Sequence, residues 1–267
     1  MNCWRAVKFG NYDIVLATNA TVASFENDIF CLDIPWLFDN KQQVYEVLDG
    51  PLGDRLADGL EESGFKLLQW QENGFRTLST NKPINDMSDL KGVKIRIMEN
   101  ELQLQQWKDY GANPTPMAFT ELFTALQQKT VDAQDNGAEL TWQTKFYEVQ
   151  SHYTYTKHIY SPYLILMSKD KFDGLTPEQQ EIVLKVSDEA VAYERQRCDE
   201  YEQTALDNIK NCGTMQYSDL TPEVKAEMVK ACKNIKELAY KKVTDPSVVD
   251  LLYDEVAKAK EKFPEEG

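Results

Sequence analysis

The chain has 267 residues, with 44 Asp and Glu against 29 Lys and Arg, for a formal net charge of −15. That length supports one large or two medium domains with a real core, and the acidic balance argues against nucleic acid or an anionic membrane surface as partner. No apolar run reaches the roughly 18 residues of a membrane-spanning helix, so no direct membrane insertion is expected.

Residues 1–70 read as α/β. "YDIVLAT" (12–18) is a strand, and "IFCLDIPWLF" (29–38) is an apolar run interrupted by Pro35. The helical stretch 40–64 is split where Gly50 and Pro51 punctuate it. "FKLLQWQ" (65–71) and "FRTLST" (75–80) are strands on either side of an Asn73-Gly74 turn. After a loop with Pro83, "GVKIRI" alternates with period two and carries Arg96 near its end. A helix over 100–110 stops before Gly111, and "NPTPM" is extended. "TELFTALQQK" (120–129) reads as a helix capped by Thr120, followed by a short strand in "TVDAQDN". "SPYLILMS" (161–168) is a strong strand. Residues 176–211 form one long helix opened by Thr176-Pro177, and two more helices cover about 221–240 and 246–262. Alternating short strands and helices make this an α/β chain with open sheets.

The five cysteines (Cys3, Cys31, Cys198, Cys212, Cys232) form no C-x-x-C pair, and only two histidines, His152 and His158, are present. No metal site, cofactor or histidine triad is therefore expected. "MNCWRAVKFG" lacks the apolar core of a signal peptide; read literally, such a chain stays in the cytoplasm, and Cys3 has no lipid-attachment context.

Three polar residues fall at strand ends: Arg76, Arg96 and Asn136. Ligands of open α/β folds collect beyond strand ends. Two planar guanidinium forks and an amide converging there suit a carboxylate. Taken singly, an arginine near a strand end is more often a surface residue or the partner of a local acid, Asn136 more often a turn residue and Phe119 more often core. Spacing alone carries no further than an α/β protein with a candidate anion site.

Three segments go further. "ENGFRTLSTNKPINDMSDLKGVKIRI", "GANPTPMAFTELFTALQQKTVDAQDN" and "KFYEVQSHYTYTKH" resemble, in order and separation, the solute-binding proteins of tripartite ATP-independent periplasmic (TRAP) transporters, the dicarboxylate-binding DctP type. The likeness extends through "YDIVLAT", "DIPWLF" and "LTPEQQEIVLKVSDEA". It implies a two-lobed periplasmic-binding-protein-like fold that closes over a ligand, with a long helix spanning the lobes. It implies lobe one over 1–73 and 162–200, and lobe two over 74–161 and 201–267. It makes Arg96 the carboxylate anchor, Arg76 a second contact, Asn136 the orienting amide, Phe119 an aromatic neighbour, and Thr18 and Asn19 contacts from the first lobe. The partners it implies are a small organic acid and the membrane subunits of a TRAP transporter, on the periplasmic or outer face of the membrane.

Two departures bear on this. The family usually has Gly-Gln-Glu-Asn where this chain has Ala133, Gln134, Asp135 and Asn136; Ala133 is tolerated if its φ is negative, and Asp135 keeps the charge. The chain also opens downstream of the family's first βαβ unit, so the first lobe is expected to be incomplete, with exposed sheet edges. Two rival readings follow: an enzyme anchoring a carboxylate substrate with His158 as base, and a truncated structural or sensory module that does not bind.

Overall fold

The structure, a computed structural model, describes residues 3–265; the outermost residues of the two expected lobe spans, 1–2 and 266–267, lie outside them. Among the described residues, nine strands form two sheets: β1 (Ile14–Thr18), β2 (Phe65–Gln71), β3 (Phe75–Thr80), β4 (Lys94–Ile97), β5 (Asn113–Pro116), β6 (Ala133–Asn136), β7 (His152–Tyr160), β8 (Tyr163–Ser168) and β9 (Gln216–Asp219). The smaller sheet has the order β1-β8-β2 and is antiparallel. The larger is mixed, in the order β5-β4-β6-β3-β7-β9.

The chain passes between the sheets twice, from β2 to β3 across Glu72–Gly74 and from β7 to β8 across Ser161 and Pro162. The two crossings lie side by side: Phe75 is opposite Tyr160, and Ser161 N–H donates to Gly74 O at 3.2 Å. Gly74 has φ +83°, a conformation that costs glycine little and other residues more. The long helix Pro177–Asn211 is the third link, touching β2 of one sheet and β9 of the other. Thr176 and Gln179 form a reciprocal capping box at its start, as Thr176-Pro177 predicts.

Helices Lys41–Leu48 and Pro51–Glu62 part at Gly50-Pro51, and Leu52, Leu56 and Leu60 repeat every four residues on one fully buried face. The helix Ser247–Lys262, expected with the second lobe, lies against these two helices. Arg55 of this layer bridges Asp28 and Asp245 at 3.1 and 3.2 Å.

Several local expectations change. The apolar run 29–38 begins in a 3₁₀ helix, Asn27–Asp33, because Glu26 caps it and Pro35 stops any strand. The span 221–240 is two helices, Pro222–Ala231 and Ile235–Lys242. The helix expected from Thr120 starts at Phe119, with Ala118 at the cap position and no side-chain cap bond. Strands β7 and β9, rich in polar residues, were not anticipated. No helix among the described residues is long and apolar enough to cross a membrane.

Candidate functional site

Strands β4 and β6 are parallel, with Arg96 opposite Gln134, so their carboxyl ends share one sheet edge. Strand β3 runs antiparallel to β6, with Thr77 opposite Asn136, so its beginning reaches the same edge. Arg76, Arg96 and Asn136 thus converge. From the smaller sheet, β1 ends at Thr18 opposite Tyr163, where β8 begins. A cavity of about 440 Å³ lies between these sheet ends. Thr18, Thr21, Ser24, Asn73, Arg76, Arg96, Glu99, Met117, Phe119, Asn136 and Tyr163 are among its walls.

Register decides the company each arginine keeps. Asp135 is opposite Leu78, so it projects on the face of Arg76, one diagonal step away. Arg76, 2 % exposed, clasps that carboxylate: Nε donates to Oδ2 at 2.9 Å and Nη2 to Oδ1 at 3.0 Å. Nη2 also donates to the Asp135 carbonyl. Burial alone would push the Asp135 carboxyl up; the Arg76 charge and a hydrogen bond from His158 outweigh it and hold the group well below the usual carboxylate range. The Nη1 group of Arg76 has no protein partner among the described residues, and Arg76 is one of the residues that line the cavity.

Arg96 shares the opposite face with Gln134 and Asn136. It is 3 % exposed, yet it enters no ion pair among the described residues. Its Nε donates to Met117 O at 2.9 Å, and its guanidinium carbon lies 5.8 Å from the Phe119 ring centre. Both Nη groups therefore remain available as a planar fork. Burial and then repulsion from Arg76 lower its pKa to about 10, partly offset by Asp135, so at neutral pH it is a buried cation without a counter-ion.

The amide of Asn136 is fixed by donation to Gln134 Oε1, and Gln134 Nε2 donates in turn to Ser79 Oγ at 2.7 Å. Ala133 has negative φ, so the alanine in place of glycine introduces no strain. Helix Phe119–Gln127 begins at the wall, its first N–H groups uncapped by any side chain.

Five of the six expected residues, Thr18, Arg76, Arg96, Phe119 and Asn136, line this one cavity. Asn19 does not. It is fully buried, and its Oδ1 accepts from Ser161 Oγ at 2.7 Å, tying the end of β1 to the second crossing. His158 is also absent from the walls. It is fully buried, with Nε2 against Asp135 Oδ2 at 3.2 Å and Nδ1 bonded to Thr156 Oγ1 at 2.8 Å, so both ring nitrogens are occupied. Sequence reasoning missed Tyr163, Glu99 and the role of Asp135 as the counter-ion of Arg76. Tyr163 carried a signal, as a polar residue at the head of an apolar strand; the pairing of Arg76 with Asp135 carried none.

Residues 2–242 match the family described as bacterial extracellular solute-binding protein, family 7 (DctP). The chain is 37% identical over 215 residues to the 2,3-diketo-L-gulonate-binding periplasmic protein YiaO of Escherichia coli, covering 80% of this chain and 66% of that one. It is 31% identical over 199 residues to the C4-dicarboxylate-binding periplasmic protein DctP of Rhodobacter capsulatus, covering 74% and 60%. The matched stretch is thus under two thirds of either relative's length. Its structure superposes on the sugar acid binding protein DctPAm of Advenella mimigardefordensis in complex with galactonate, with a TM-score of 0.91 at 33% identity, covering 96% of this chain and 82% of that one.

Proposed function

The chain belongs to the bacterial extracellular solute-binding proteins of family 7, and on that premise we propose that it captures a small organic acid by its carboxylate and delivers it to the membrane subunits of a TRAP transporter. The observation that carries this reading is Arg96, buried, cationic and without an acid partner. An ion held out of water with nothing opposite is costly unless a guest supplies the opposite charge. A carboxylate on the free Nη fork of Arg96 would provide it, with Arg76 Nη1 and the Asn136 amide orienting the guest.

The capture is binding without chemistry. The base the enzyme reading needs, His158, is engaged on both ring nitrogens and does not line the cavity. The crossings at 72–74 and 161–162 are the hinges in this reading. In this reading residues 1–73 and 162–200 form one lobe and 74–161 and 201–267 the other, although helix Ser247–Lys262 of the second span packs on helices of the first, and closure strengthens the ion pair by excluding water. The working place in this reading is the periplasm or the outer face of the membrane; the two named relatives are periplasmic proteins.

Calorimetry against a panel of organic acids tests it. Arg96→Ala is expected to weaken binding by about 2–5 kcal/mol, and Arg96→Lys to lose affinity too, since a point charge cannot reproduce the fork. Unchanged affinity in both variants, with circular dichroism showing native folds, would sink the proposal.

A further inference from the structure

Behind the cavity stands a buried acid with no cation paired to it. Asp33, the last residue of the 3₁₀ helix Asn27–Asp33, is fully buried and enters no ion pair among the described residues. Two amides hold it: Asn100 Nδ2 donates to Oδ2 at 2.8 Å, and Gln103 Nε2 to Oδ1 at 3.0 Å. Asn100 caps helix Glu101–Asp109 and follows the wall residue Glu99; the fully buried Asn19, also beside Asp33, follows the wall residue Thr18. Arg76 attracts the carboxylate through space, without contact. On the elements packed against this helix, Arg55 pairs with Asp28 and Asp245, Lys242 with Glu101, Lys260 with Asp39 and His158 with Asp135, while Lys236 lies over the Tyr253 ring. Cys31, in the same turn, keeps its proton, because burial and then the charges of Asp28 and Asp33 push its thiol up.

We propose that capture of a guest carboxylate takes up one proton from solvent and that Asp33 receives it. The inference rests on the capture reading above and deepens it. Without a guest, Arg76 and Arg96 stand against Asp135 and Asp33, two buried cations against two buried anions. A guest carboxylate adds a third anion and draws on Arg76, the cation that steadies ionised Asp33. Burial already disfavours that anion, and a proton on it restores the balance. The only covalent change is the new O–H bond on Asp33. Gln103 serves both states: its Oε1 is buried without a partner, and half a turn of the amide exchanges Oε1 for Nε2, so the contact that donates to the anion accepts from the acid. Burial, against the pull of the amides and Arg76, leaves the free carboxyl pushed up to about 6, and the guest's charge raises it further. Affinity is then highest at and below that value, falls as pH rises between the free and guest-bound pKa, and levels off above. Arg96, with a pKa of about 10, keeps its charge throughout, so this change belongs to Asp33.

Calorimetry on the full chain in two buffers of different ionisation enthalpy counts the proton, with galactonate and galacturonate as probes because both titrate well below this range. The unmodified chain is expected to take up about half a proton or more per guest near neutral pH, and to bind about tenfold more tightly at about pH 6 than at about pH 8. Asp33→Asn, close to the neutral acid in shape, should take up none, hold one affinity across that range, and bind more tightly than the unmodified chain at its alkaline end; circular dichroism checks its fold. Binding without proton uptake, or uptake that Asp33→Asn retains, overturns the inference while carboxylate capture stands. Should Asp33→Asn not fold, infrared difference spectra of the unmodified chain with isotope-labelled aspartate decide: a protonated aspartate band must appear with the guest, and its absence overturns the inference. A folded chain that binds neither probe also overturns it; if it binds no other acid of the panel, the capture reading falls too.

Discussion

Two arginines wall the same cavity and are buried to the same degree, yet one is neutralised by the protein and the other is not. Arg76 has Asp135 clasped on two nitrogens; Arg96, on the opposite face of the sheet, has a carbonyl and an aromatic ring. A buried ion pair fixes structure, because removing one member strands the other. A buried lone cation is a poor structural element and a ready receptor. Under the proposed function, the difference separates scaffold from recognition within one wall.

The comparison can be broken most forcefully at Asp135. Asp135→Asn strands Arg76 and is expected to cost about 3–5 kcal/mol of folding stability, read by denaturant unfolding, whereas Arg96→Met should leave stability unchanged or raise it. Equal losses in the two variants would erase the distinction. Next in size is binding: the loss of about 2–5 kcal/mol expected for Arg96→Ala should appear in affinity and be absent from the unfolding curve of the free protein. The pH dependences should also point opposite ways. The folded-state pKa of Asp135 is depressed, so its contribution to stability is complete above the usual carboxylate range and is lost as pH falls through that range and below. Arg96, with a pKa of about 10, should lose its affinity for a carboxylate as pH rises through that value, with little change below it. A binding curve flat across that alkaline range would argue that another group carries the charge. The smallest effect is expected at Phe119: Phe119→Leu removes the ring beside Arg96 and should weaken binding by about 0.5–2 kcal/mol, measured by calorimetry, with stability nearly unchanged because Phe119 is part-exposed.

Much of this architecture was legible in the chain. Leu52, Leu56 and Leu60 announce a buried helix face, Gly50-Pro51 announces the break before it, and Thr176-Pro177 announces the start of the long helix. The residues missed were those whose state is set from outside. Strand β7 reads "HYTYTKHIY", too polar for a core strand, and holds its place because β3 and β9 pair on its two sides. Thr120 looks like a helix cap, but the helix begins one residue earlier, at Phe119. Asn19 sits next to Thr18 in sequence yet turns away from the cavity, because its side chain binds Ser161.

By itself the sequence determined the local elements and the chemical inventory: which segments coil, which extend, and that Arg76, Arg96 and Asn136 stand where strands end. Which arginine is free was decided only in three dimensions. Arg76 and Asp135 are 59 positions apart, and side chains alternate faces along a strand. A slip of one residue in β6 would carry Asp135 to the face of Arg96 and leave Arg76 bare. Charge pairing acts through space, so register, which no local stretch encodes, settles which cation is left without an acid partner.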